Sequence, residues 1–339
     1  MDHGSLPRLR EDQRGVPDLS VSPLSSAAPP VHVVVGIVEN SRGEILVMKR
    51  RADGHLGGHV EFPGGKLEAG EFPEAALQRE LKEELDIDMC RCRPLIQIPY
   101  SYADRNVFLD VFRVSEYSGR ARSVEGQGIA WKSIPALGDL YFPKANHGIV
   151  RALQLPGLIP VTPGAEQVQD FLQHFEDTVR QSGVELIHFR SHELDPRHYL
   201  QLAGDCLRTC HRHQVRLVLN ADASSLKQVD ADGLHLTSRR LAAVKTRPLG
   251  KEYLVSASCH TLDEVLRASQ AGLDYLFLGP VREKVFGGPV EPLGWKHFAR
   301  LARQSAIPVY AIGGLGPADI DVAIAHGGQG VAAIRAVWQ

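Results

Sequence analysis

Long apolar runs are missing from this 339-residue sequence: none approaches the ~18 consecutive apolar residues that a membrane-spanning helix requires. The opening segment, MDHGSLPRLREDQRG, is polar and lacks the apolar core of a secretion signal. These absences exclude a membrane as the expected partner. They predict a protein that works in the cytoplasm.

Cysteine is also scarce, with five residues in the whole chain. An odd number at irregular spacing argues against a disulfide framework and for a reducing compartment. A surplus of positive charge is missing too, since 38 Lys and Arg face 40 Asp and Glu for a net charge of −2. Proteins that bind duplex nucleic acid are usually far more basic. Duplex DNA is therefore excluded as the main partner, whereas a small phosphorylated ligand needs only a local cationic or metal-bearing cleft.

The composition excludes disorder of the whole chain, because 43% hydrophobic and 23% charged residues are near the average of globular proteins. At roughly 150 residues per domain, the length predicts about two domains. Residues 1–30 mix Ser, Pro and charge without periodicity and predict a disordered leader. Residues 31–154 and 155–339 are predicted to be the two folded domains.

The first domain has the pattern of a mixed α/β fold. Its opening runs, VHVVVGIV and EILVMKR, are separated by the turn-like ENSRG and predict a hairpin. One helix is predicted from about Pro73 to Leu85, followed by strands in LIQIPYSYA, NVFLDVFRV and GIAWKSI.

The second domain alternates strands with amphipathic helical stretches. The strand-like runs are LIPVTP, VELIHFR, RLVLNA, GLHLT, EYLVSAS, YLFLGPV, PVYAIGG and GVAAIR. Eight such runs predict a compact (β/α)8 barrel, and a doubly wound open sheet is the alternative.

The predicted helix carries a cluster of carboxylates. Glu80, Glu83 and Glu84 lie at positions i, i+3 and i+4 and so share one helical face. A solvated acidic face is the simpler interpretation. The preceding FPGG segment favours a second one, a site for Mg²⁺ or Mn²⁺, because hard divalent cations prefer clustered carboxylates and would remove their repulsion.

The segment from Gly65 to Ile87 resembles the signature of Nudix hydrolases, G-x5-E-x7-R-E-U-x-E-E-x-G-U, where U is aliphatic. The matching residues are Gly65, Glu71, Arg79, Glu80, Leu81, Glu83, Glu84 and Ile87. Asp86 replaces the glycine that ends the helix, a position where Asp accepts a positive φ at modest cost. The resemblance implies an α/β/α sandwich that hydrolyses nucleoside diphosphate derivatives with a divalent metal and water.

The segment MKRRADGHLGGHVEFPGGK further resembles the mutator-type Nudix hydrolases, which act on 8-oxo-dGTP. That resemblance assigns nucleotide contacts to Arg50 and His55, and a pocket lining to Glu61, Phe62, Pro63 and Gly64. It also implies a set of metal ligands: the Gly64 carbonyl and the carboxylates of Glu80, Glu83, Glu84 and Glu125. The same four carboxylates are the implied catalytic groups. FPKAN resembles the purine-reading segment and places Asn146 on the base edge.

A chemical reason supports the assignment of Asn146. Guanine presents two acceptors, O6 and N7, on this edge. In 8-oxoguanine N7 carries a hydrogen, so the edge becomes an acceptor beside a donor. A carboxamide satisfies both at once, and a guanine in its place would leave a polar group badly paired.

The second half resembles thiamine phosphate synthase and its TenI-like relatives, through ADGLHL, SASCHTLDEVLRASQAGLDYLFLGPV, PLGW, IPVYAIGG and GVAAIRAV. Glycines after barrel strands seven and eight bind phosphate in such folds, so Gly313, Gly314 and Gly330 are expected to form a phosphate site. In the synthases, two acidic positions bind the metal. In this sequence the first of them is Ala221, with Asp222 one place later. The second falls in the segment Thr237 to Arg240, which contains no acidic residue. We therefore expect no synthase activity.

The leading functional hypothesis is a cytoplasmic enzyme of nucleotide-pool sanitation, which hydrolyses 8-oxo-dGTP to 8-oxo-dGMP and pyrophosphate and so prevents mutation. Its substrate is a small nucleoside triphosphate and its cofactor is Mg²⁺ or Mn²⁺. One alternative is a Nudix hydrolase of another nucleoside diphosphate derivative. A third hypothesis is a hydrolase regulated by a thiamine-related phosphate that binds in the barrel.

Overall fold

The computed structural model describes residues 29–50, 58–165, 170–181, 183–283 and 291–338. The chain folds as two compact units, one ending at Gln154 and the other beginning at Leu155. Among the described residues, no helix is both long enough and apolar enough to cross a membrane.

The N-terminal unit contains a four-stranded and a three-stranded sheet. Its strands are β1 (Val31–Val38), β2 (Ile45–Lys49), β3 (Val60–Glu61), β4 (Gly64–Lys66), β5 (Asp88–Ser101), β6 (Asn106–Ser118) and β7 (Ile129–Lys132), and its α-helices are α1 (Pro73–Leu85) and α2 (His147–Leu153). The sheet orders are β4-β1-β6-β5 and β3-β2-β7. β1 pairs in parallel with β6, and the other pairs in these two sheets are antiparallel.

The predicted hairpin of β1 and β2 is wrong, although both segments are strands. A single bridge, Glu39 to Ile45, joins them. β2 then leaves the first sheet and pairs with β3 and β7 in the second. The apolar pattern of each strand could not show this, because a strand buried on both faces has the same pattern in either sheet.

Helix α1 has the predicted bounds, and its sequence explains both ends. Pro73 occupies the first turn, where its missing N–H costs nothing. Leu77, Leu81 and Leu85 are fully buried in the core between the helix and β1, each contributing about 1.5–3 kcal/mol. Asp86 ends the helix in the left-handed region at φ 55°, as the sequence predicts for this position. Arg122 and Lys82 hold its carboxylate at 2.7 and 3.1 Å.

The C-terminal unit alternates strands and helices from end to end. Its strands are β8 (Leu158–Pro160), β9 (Leu186–Phe189), β10 (Arg216–Leu219), β11 (Gly233–Leu236), β12 (Leu254–Cys259), β13 (Tyr275–Leu278), β14 (Val309–Ile312) and β15 (Gly330–Ala333). Its α-helices are α3 (Phe171–Val179), α4 (Pro196–Arg212), α5 (Ala223–Val229), α6 (Ser238–Leu241), α7 (Leu262–Gln270), α8 (Gly294–Ala302) and α9 (Ile320–Ala325).

The eight strands close into a barrel, which excludes the doubly wound open sheet. All neighbouring strands are parallel, and β15 pairs with β8. Val161, just after β8, bridges to His188 of β9, and the Thr162 N–H donates to the His188 carbonyl at 2.9 Å. The predicted fold class, a mixed α/β unit followed by a (β/α)8 barrel, is confirmed.

The interior of the barrel contains a polar network inside its apolar core. The two nitrogens of His235 lie 2.8 Å from the Ser256 and Ser258 hydroxyls, and His188 Nε2 lies 2.6 Å from the Tyr275 hydroxyl. Burial lowers the pKa of His235 to about 3. Burial, and then the neighbouring His235, lower the pKa of His188 well below its ordinary value. Both imidazoles are therefore neutral in the folded barrel.

We expect the barrel to lose stability as the pH falls below about 6.5, the ordinary pKa of histidine, because the unfolded chain then binds protons that the folded barrel rejects. At pH 5.5 the cost for His235 alone is about 1.4 kcal/mol. The measurement is urea unfolding at pH 8 and 5.5 in a Trp131→Phe background, where the remaining Trp295 and Trp338 report on the barrel.

In the same background, His235→Gln should reduce the pH-dependent loss by about 1.4 kcal/mol, because Gln keeps a donor and an acceptor but does not titrate. His174→Gln, which removes an exposed histidine of the same unit, is the control and should leave the loss unchanged. An equal loss in the His235→Gln and parent proteins would show that His235 does not carry this effect.

Candidate active site

The first residue of β4 and the last turn of α1 meet at a carboxylate. The Gly64 N–H donates to Glu84 Oε2 at 2.9 Å. Gly64 has φ +141°, and a Cβ added to it would lie 2.1 Å from the Val34 carbonyl oxygen. Only glycine allows the loop to approach β1 this closely. A hydrogen bond from the Gly64 backbone to the Glu84 side chain thus holds the FPGG segment against helix α1.

Besides being buried, the carboxylate of Glu84 is close enough to three others, those of Glu61, Glu80 and Glu125, for their negative charges to raise its pKa. Burial raises the pKa of Glu84 to about 8, against the opposing hydrogen bond from Gly64, and the charges of Glu61, Glu80 and Glu125 raise it further. Burial also raises the pKa of Glu61, where the charge of Arg50 opposes the shift and that of Glu125 adds to it. The cluster therefore has more negative charge than its surroundings compensate.

Glu125 reaches this cluster from a different part of the chain. The loop that carries it is hydrogen-bonded to the end of α1: the Arg122 N–H donates to the Leu85 carbonyl, and the Val124 N–H donates to the Glu84 carbonyl, both at 3.0 Å. Glu125 itself is exposed. The structure thus brings together Glu61 of β3, Glu80 and Glu84 of α1, and Glu125 of the loop before β7, from three separate segments.

Arg79 forms ion pairs with Glu80 and with Glu71 of the preceding loop. Its guanidinium donates to both carboxylate oxygens of Glu71, at 3.2 and 3.0 Å, and to Glu80 Oε1 at 2.7 Å. It also donates to the Lys66 carbonyl at 3.2 Å. Arg79 therefore fixes the helix to the loop that precedes it and orients Glu80.

Glu83 lies at the exposed edge of the cluster, next to the Arg79 nitrogen, Nη1, that also donates to Glu80. Its side chain is 58% exposed, and its carboxylate lies 3.5 Å from Arg79. The charges that raise the pKa of Glu84 do not include Glu83. Spacing along a helix places Glu83 on the same face as Glu80 and Glu84, and its assignment as a metal ligand stays a prediction.

The nucleotide-binding residues predicted from the sequence lie beside the carboxylates. Arg50 contacts Glu61 at 3.1 Å. Phe62 stacks on Phe142 with ring centroids 4.8 Å apart, and both rings are buried. The Pro63 carbonyl accepts from the Gly36 N–H at 2.8 Å. His55 lies outside the described residues.

Asn146 lies at the end of a 3₁₀ turn, Lys144–Asn146, that is tied to the same region. The Val60 N–H donates to the Tyr141 carbonyl at 2.9 Å, which joins the segment before this turn to β3. Asn146 is partly buried, and its side chain does not cap α2. Its carboxamide makes no hydrogen bond to any residue that the structure describes, so its donor and acceptor groups are open to a ligand.

Tyr102 is a site residue that the sequence analysis missed. Its hydroxyl accepts a hydrogen bond from the Ala145 backbone, next to Asn146, and lies within reach of the charge of Arg50. Burial raises the pKa of Tyr102, so the phenol stays neutral. Tyr102 thus connects the turn that carries Asn146 with the carboxylate side of the site. No sequence signal identified it, because an aromatic residue near the end of a strand is common.

The donors fit a hard divalent cation. Carboxylate oxygens are the ligands that Mg²⁺ and Mn²⁺ prefer, and a cation would supply the positive charge that Glu84 lacks. Within the described ranges, no three His, Cys, Asp or Glu side chains are already close enough to hold a metal together. The residues that would hold it are Glu80 and Glu84, with Glu61, Glu125 and the Gly64 backbone beside them.

The barrel glycines do not form one site. Gly313 and Gly314 follow β14, with φ of +105° and +67°. A Cβ on Gly313 would lie 2.6 Å from Pro280 Cβ, so close packing of neighbouring loops accounts for this glycine. Gly330 begins β15 at the other end of the barrel, and its Cβ would lie 1.9 Å from the Gly157 carbonyl oxygen. The expected grouping of Gly330 with Gly313 and Gly314 is corrected accordingly.

Comparison with known proteins agrees with both halves of the fold. The NUDIX domain family matches residues 34–152, and the thiamine monophosphate synthase family matches residues 158–337. The chain is 36% identical over 124 residues to the 8-oxo-dGTP diphosphatase of Escherichia coli (strain K12), covering 37% of this chain and 96% of that protein.

Two further relatives match one unit each. The thiamine-phosphate synthase of Synechococcus sp. (strain CC9605) is 31% identical over 169 residues, and the match covers 50% of this chain and 48% of that protein. The chain thus spans about half the length of this relative. A MutT structure, from work on the Aliivibrio salmonicida and Vibrio cholerae proteins, is 35% identical and covers 37% of this chain and 97% of its own, with a TM-score of 0.33.

These matches confirm both resemblances seen in the sequence. The chain belongs to the Nudix family through its N-terminal unit and to the thiamine monophosphate synthase family through its C-terminal unit, the two fused in one sequence.

Proposed function

We propose that the N-terminal unit hydrolyses oxidised purine nucleoside triphosphates, converting 8-oxo-dGTP to 8-oxo-dGMP and pyrophosphate with Mg²⁺ or Mn²⁺. The observation that carries this proposal is the carboxylate cluster around Glu84, fixed to Gly64 at 2.9 Å and lying beside a segment with an unbonded Asn146 carboxamide. The similarity to an 8-oxo-dGTP diphosphatase supports the same substrate. Such an activity would clear mutagenic nucleotides from the cytoplasmic pool.

The metal-binding end of the site would act on the phosphates. A bound divalent cation neutralises charge on phosphoryl oxygens and lowers the pKa of a water molecule. Glu80 and Glu84 would hold it, with Arg79 fixing the orientation of Glu80. Glu125 is exposed and near the cluster, so it could accept the proton of the attacking water.

The other end of the site would bind the nucleoside. Arg50 would contact the nucleotide from its position beside Glu61. His55, which lies outside the described residues, is proposed as a further contact on the sequence resemblance alone. Phe62, Pro63 and Gly64 would line the pocket, with the Phe62–Phe142 stack fixing the distance between the metal loop and the base-reading turn. Asn146 would read the acceptor and donor of 8-oxoguanine.

The test is a hydrolysis panel with purified protein, Mg²⁺, and 8-oxo-dGTP, dGTP, 8-oxo-GTP or sugar nucleotides, with products separated by chromatography. We expect 8-oxo-dGMP and pyrophosphate as the main products of the best substrate. Preferential hydrolysis of a sugar nucleotide would instead identify a Nudix hydrolase of another nucleoside diphosphate derivative.

We further propose that the barrel does not synthesise thiamine phosphate. Ala221 has no side-chain oxygen, and Asp222 is engaged in capping α5 through the Ser224 and Ser225 N–H groups at 3.1 and 2.9 Å. The Ser224 hydroxyl, which donates to the same carboxylate at 2.7 Å, and then the Ser225 N–H lower the pKa of Asp222 to about 2. The residues present here therefore do not fit a Mg²⁺–pyrophosphate complex, which needs hard oxygen ligands.

Incubation of the protein with the pyrimidine pyrophosphate, the thiazole phosphate and Mg²⁺ should give no thiamine phosphate above background by chromatography. The expected rate is at least about 1,000-fold below that of a working synthase, since loss of metal ligation removes several kcal/mol of stabilisation. Multiple turnovers would contradict this proposal.

A further inference from the structure

Two aromatic pairs flank β3, one on each side of the strand. Phe62 is buried on one side, where it stacks on Phe142. Because side chains alternate along a strand, His59 and Glu61 lie on the other side. There the His59 ring stacks on Tyr141, with centroids 4.1 Å apart and planes inclined by 29°. This outer pair therefore lies on the same side of β3 as Glu61, one of the clustered carboxylates.

The outer pair adds little to the core of the unit. Tyr141 is 61% exposed, whereas Phe142, the next residue, is buried. An exposed ring removes little apolar surface from water, so burial does not explain the contact. What the pair does is join two segments of chain that are more than 80 residues apart.

The same two segments are hydrogen-bonded through their backbones. The Val60 N–H donates to the Tyr141 carbonyl at 2.9 Å. From this bond β3 continues through Glu61 towards the metal loop, and the other segment continues to the turn that ends at Asn146. A single hydrogen bond fixes the distance between two segments more firmly than their relative rotation. A stacked pair on each side of the bond restricts that rotation.

Selection by Asn146 depends on this orientation. A carboxamide distinguishes 8-oxoguanine from guanine by presenting its acceptor and its donor to two particular atoms, and a displacement of about 1 Å is enough to lose such a fit. The Tyr102 hydroxyl holds the turn at Ala145, near its end. Tyr141 holds the segment where it leaves β3, so the two tyrosines fix opposite ends of it.

We propose that His59 and Tyr141 are a pair of positioning residues that set the preference of the site for 8-oxoguanine over guanine, by holding Asn146 in a fixed orientation to β3. The inference rests on the proposed function of the N-terminal unit. The contacts that hold Glu80 and Glu84 involve neither ring. The pair should therefore affect discrimination and KM, and leave the chemical step unchanged.

The experiment is steady-state kinetics of the full-length protein with 8-oxo-dGTP and with dGTP in Mg²⁺. In Tyr141→Ala and in His59→Ala, the ratio of the two kcat/KM values should fall about 3- to 10-fold, the range that a stacked aromatic pair contributes. The fall should come from a higher KM for 8-oxo-dGTP, with kcat within about twofold of the parent, which also shows that each variant is folded. Tyr141→Phe keeps the ring and should keep the parental ratio.

A double variant tests whether the two rings act together. His59→Ala combined with Tyr141→Ala should have the same ratio as either single variant, because each change alone already removes the stack. Phe72→Ala is the matched control, since it removes a 77% exposed aromatic ring from the same unit, and it should leave the ratio unchanged.

Four results would overturn the proposal while leaving the proposed hydrolase intact. They are a parental ratio in both Tyr141→Ala and His59→Ala, a loss in Tyr141→Phe as large as in Tyr141→Ala, a double variant whose loss is the product of the single losses, and an equal fall of kcat for both nucleotides. A parent protein without preference for 8-oxo-dGTP would overturn both this proposal and the proposed function.

Discussion

Glu84→Gln is expected to reduce kcat for 8-oxo-dGTP hydrolysis by about 1,000-fold or more at saturating Mg²⁺, a loss of at least about 4 kcal/mol of transition-state stabilisation. The amide can still accept the hydrogen bond from the Gly64 N–H, so the loop and α1 should keep their positions. What it cannot supply is the negative charge that a cation ligand requires. Steady-state kinetics over a range of Mg²⁺ concentrations measure the effect.

The folded state should tolerate this change. Without a cation, the pKa of Glu84 of about 8 means that its carboxyl is largely protonated at neutral pH, so a neutral amide replaces a mostly neutral acid. Glu74→Gln removes an exposed carboxylate from the first turn of the same helix and should retain full activity. Near-parental turnover of Glu84→Gln at saturating Mg²⁺ would refute its assignment as a ligand.

Asn146→Ala is expected to reduce the preference for 8-oxo-dGTP over dGTP by about 5- to 150-fold, the equivalent of the 1–3 kcal/mol that a bidentate base contact contributes. Alanine removes the acceptor and the donor that match the 8-oxoguanine edge, while the 3₁₀ turn is held by the backbone bond from the Asn146 N–H to the Pro143 carbonyl at 2.9 Å. The quantity to measure is the ratio of kcat/KM for the two nucleotides.

Lys144→Ala is the control for this substitution, since Lys144 is an exposed residue of the same turn. It should leave the ratio of the two kcat/KM values unchanged even if both values shift together. An Asn146→Ala ratio equal to that of the parent would show that another group reads the base.

The parts of the fold that the sequence predicted are those encoded by local patterns. Helix α1 has its proline, its leucine spacing and Asp86 within one short segment, and each feature acts where it stands in the chain. The barrel strands are likewise buried runs separated by amphipathic helices. Pairing between distant segments is different: β2 joins β3 and β7 because of the global fold, and nothing in its own five residues specifies those partners.

The candidate site shows the same division. Glu80 and Glu84 could be predicted from spacing and resemblance, because both lie on one face of a helix. Spacing also places Glu83 on this face; its side chain is 58% exposed against 15% for Glu80, and its role as a ligand stays a prediction. Tyr102 was missed because its connection to the Asn146 turn is made by a backbone hydrogen bond to Ala145, more than 40 residues along the chain.

The most direct test of the central claim is a competition assay. Purified full-length protein receives equal concentrations of 8-oxo-dGTP and dGTP with Mg²⁺, and the monophosphates are separated and quantified over time. We predict that 8-oxo-dGMP forms first and that dGMP appears only after most of the oxidised substrate is consumed, with no reaction in EDTA. Equal formation of the two monophosphates, or undiminished hydrolysis in EDTA, would contradict a metal-dependent enzyme that selects oxidised purine nucleotides.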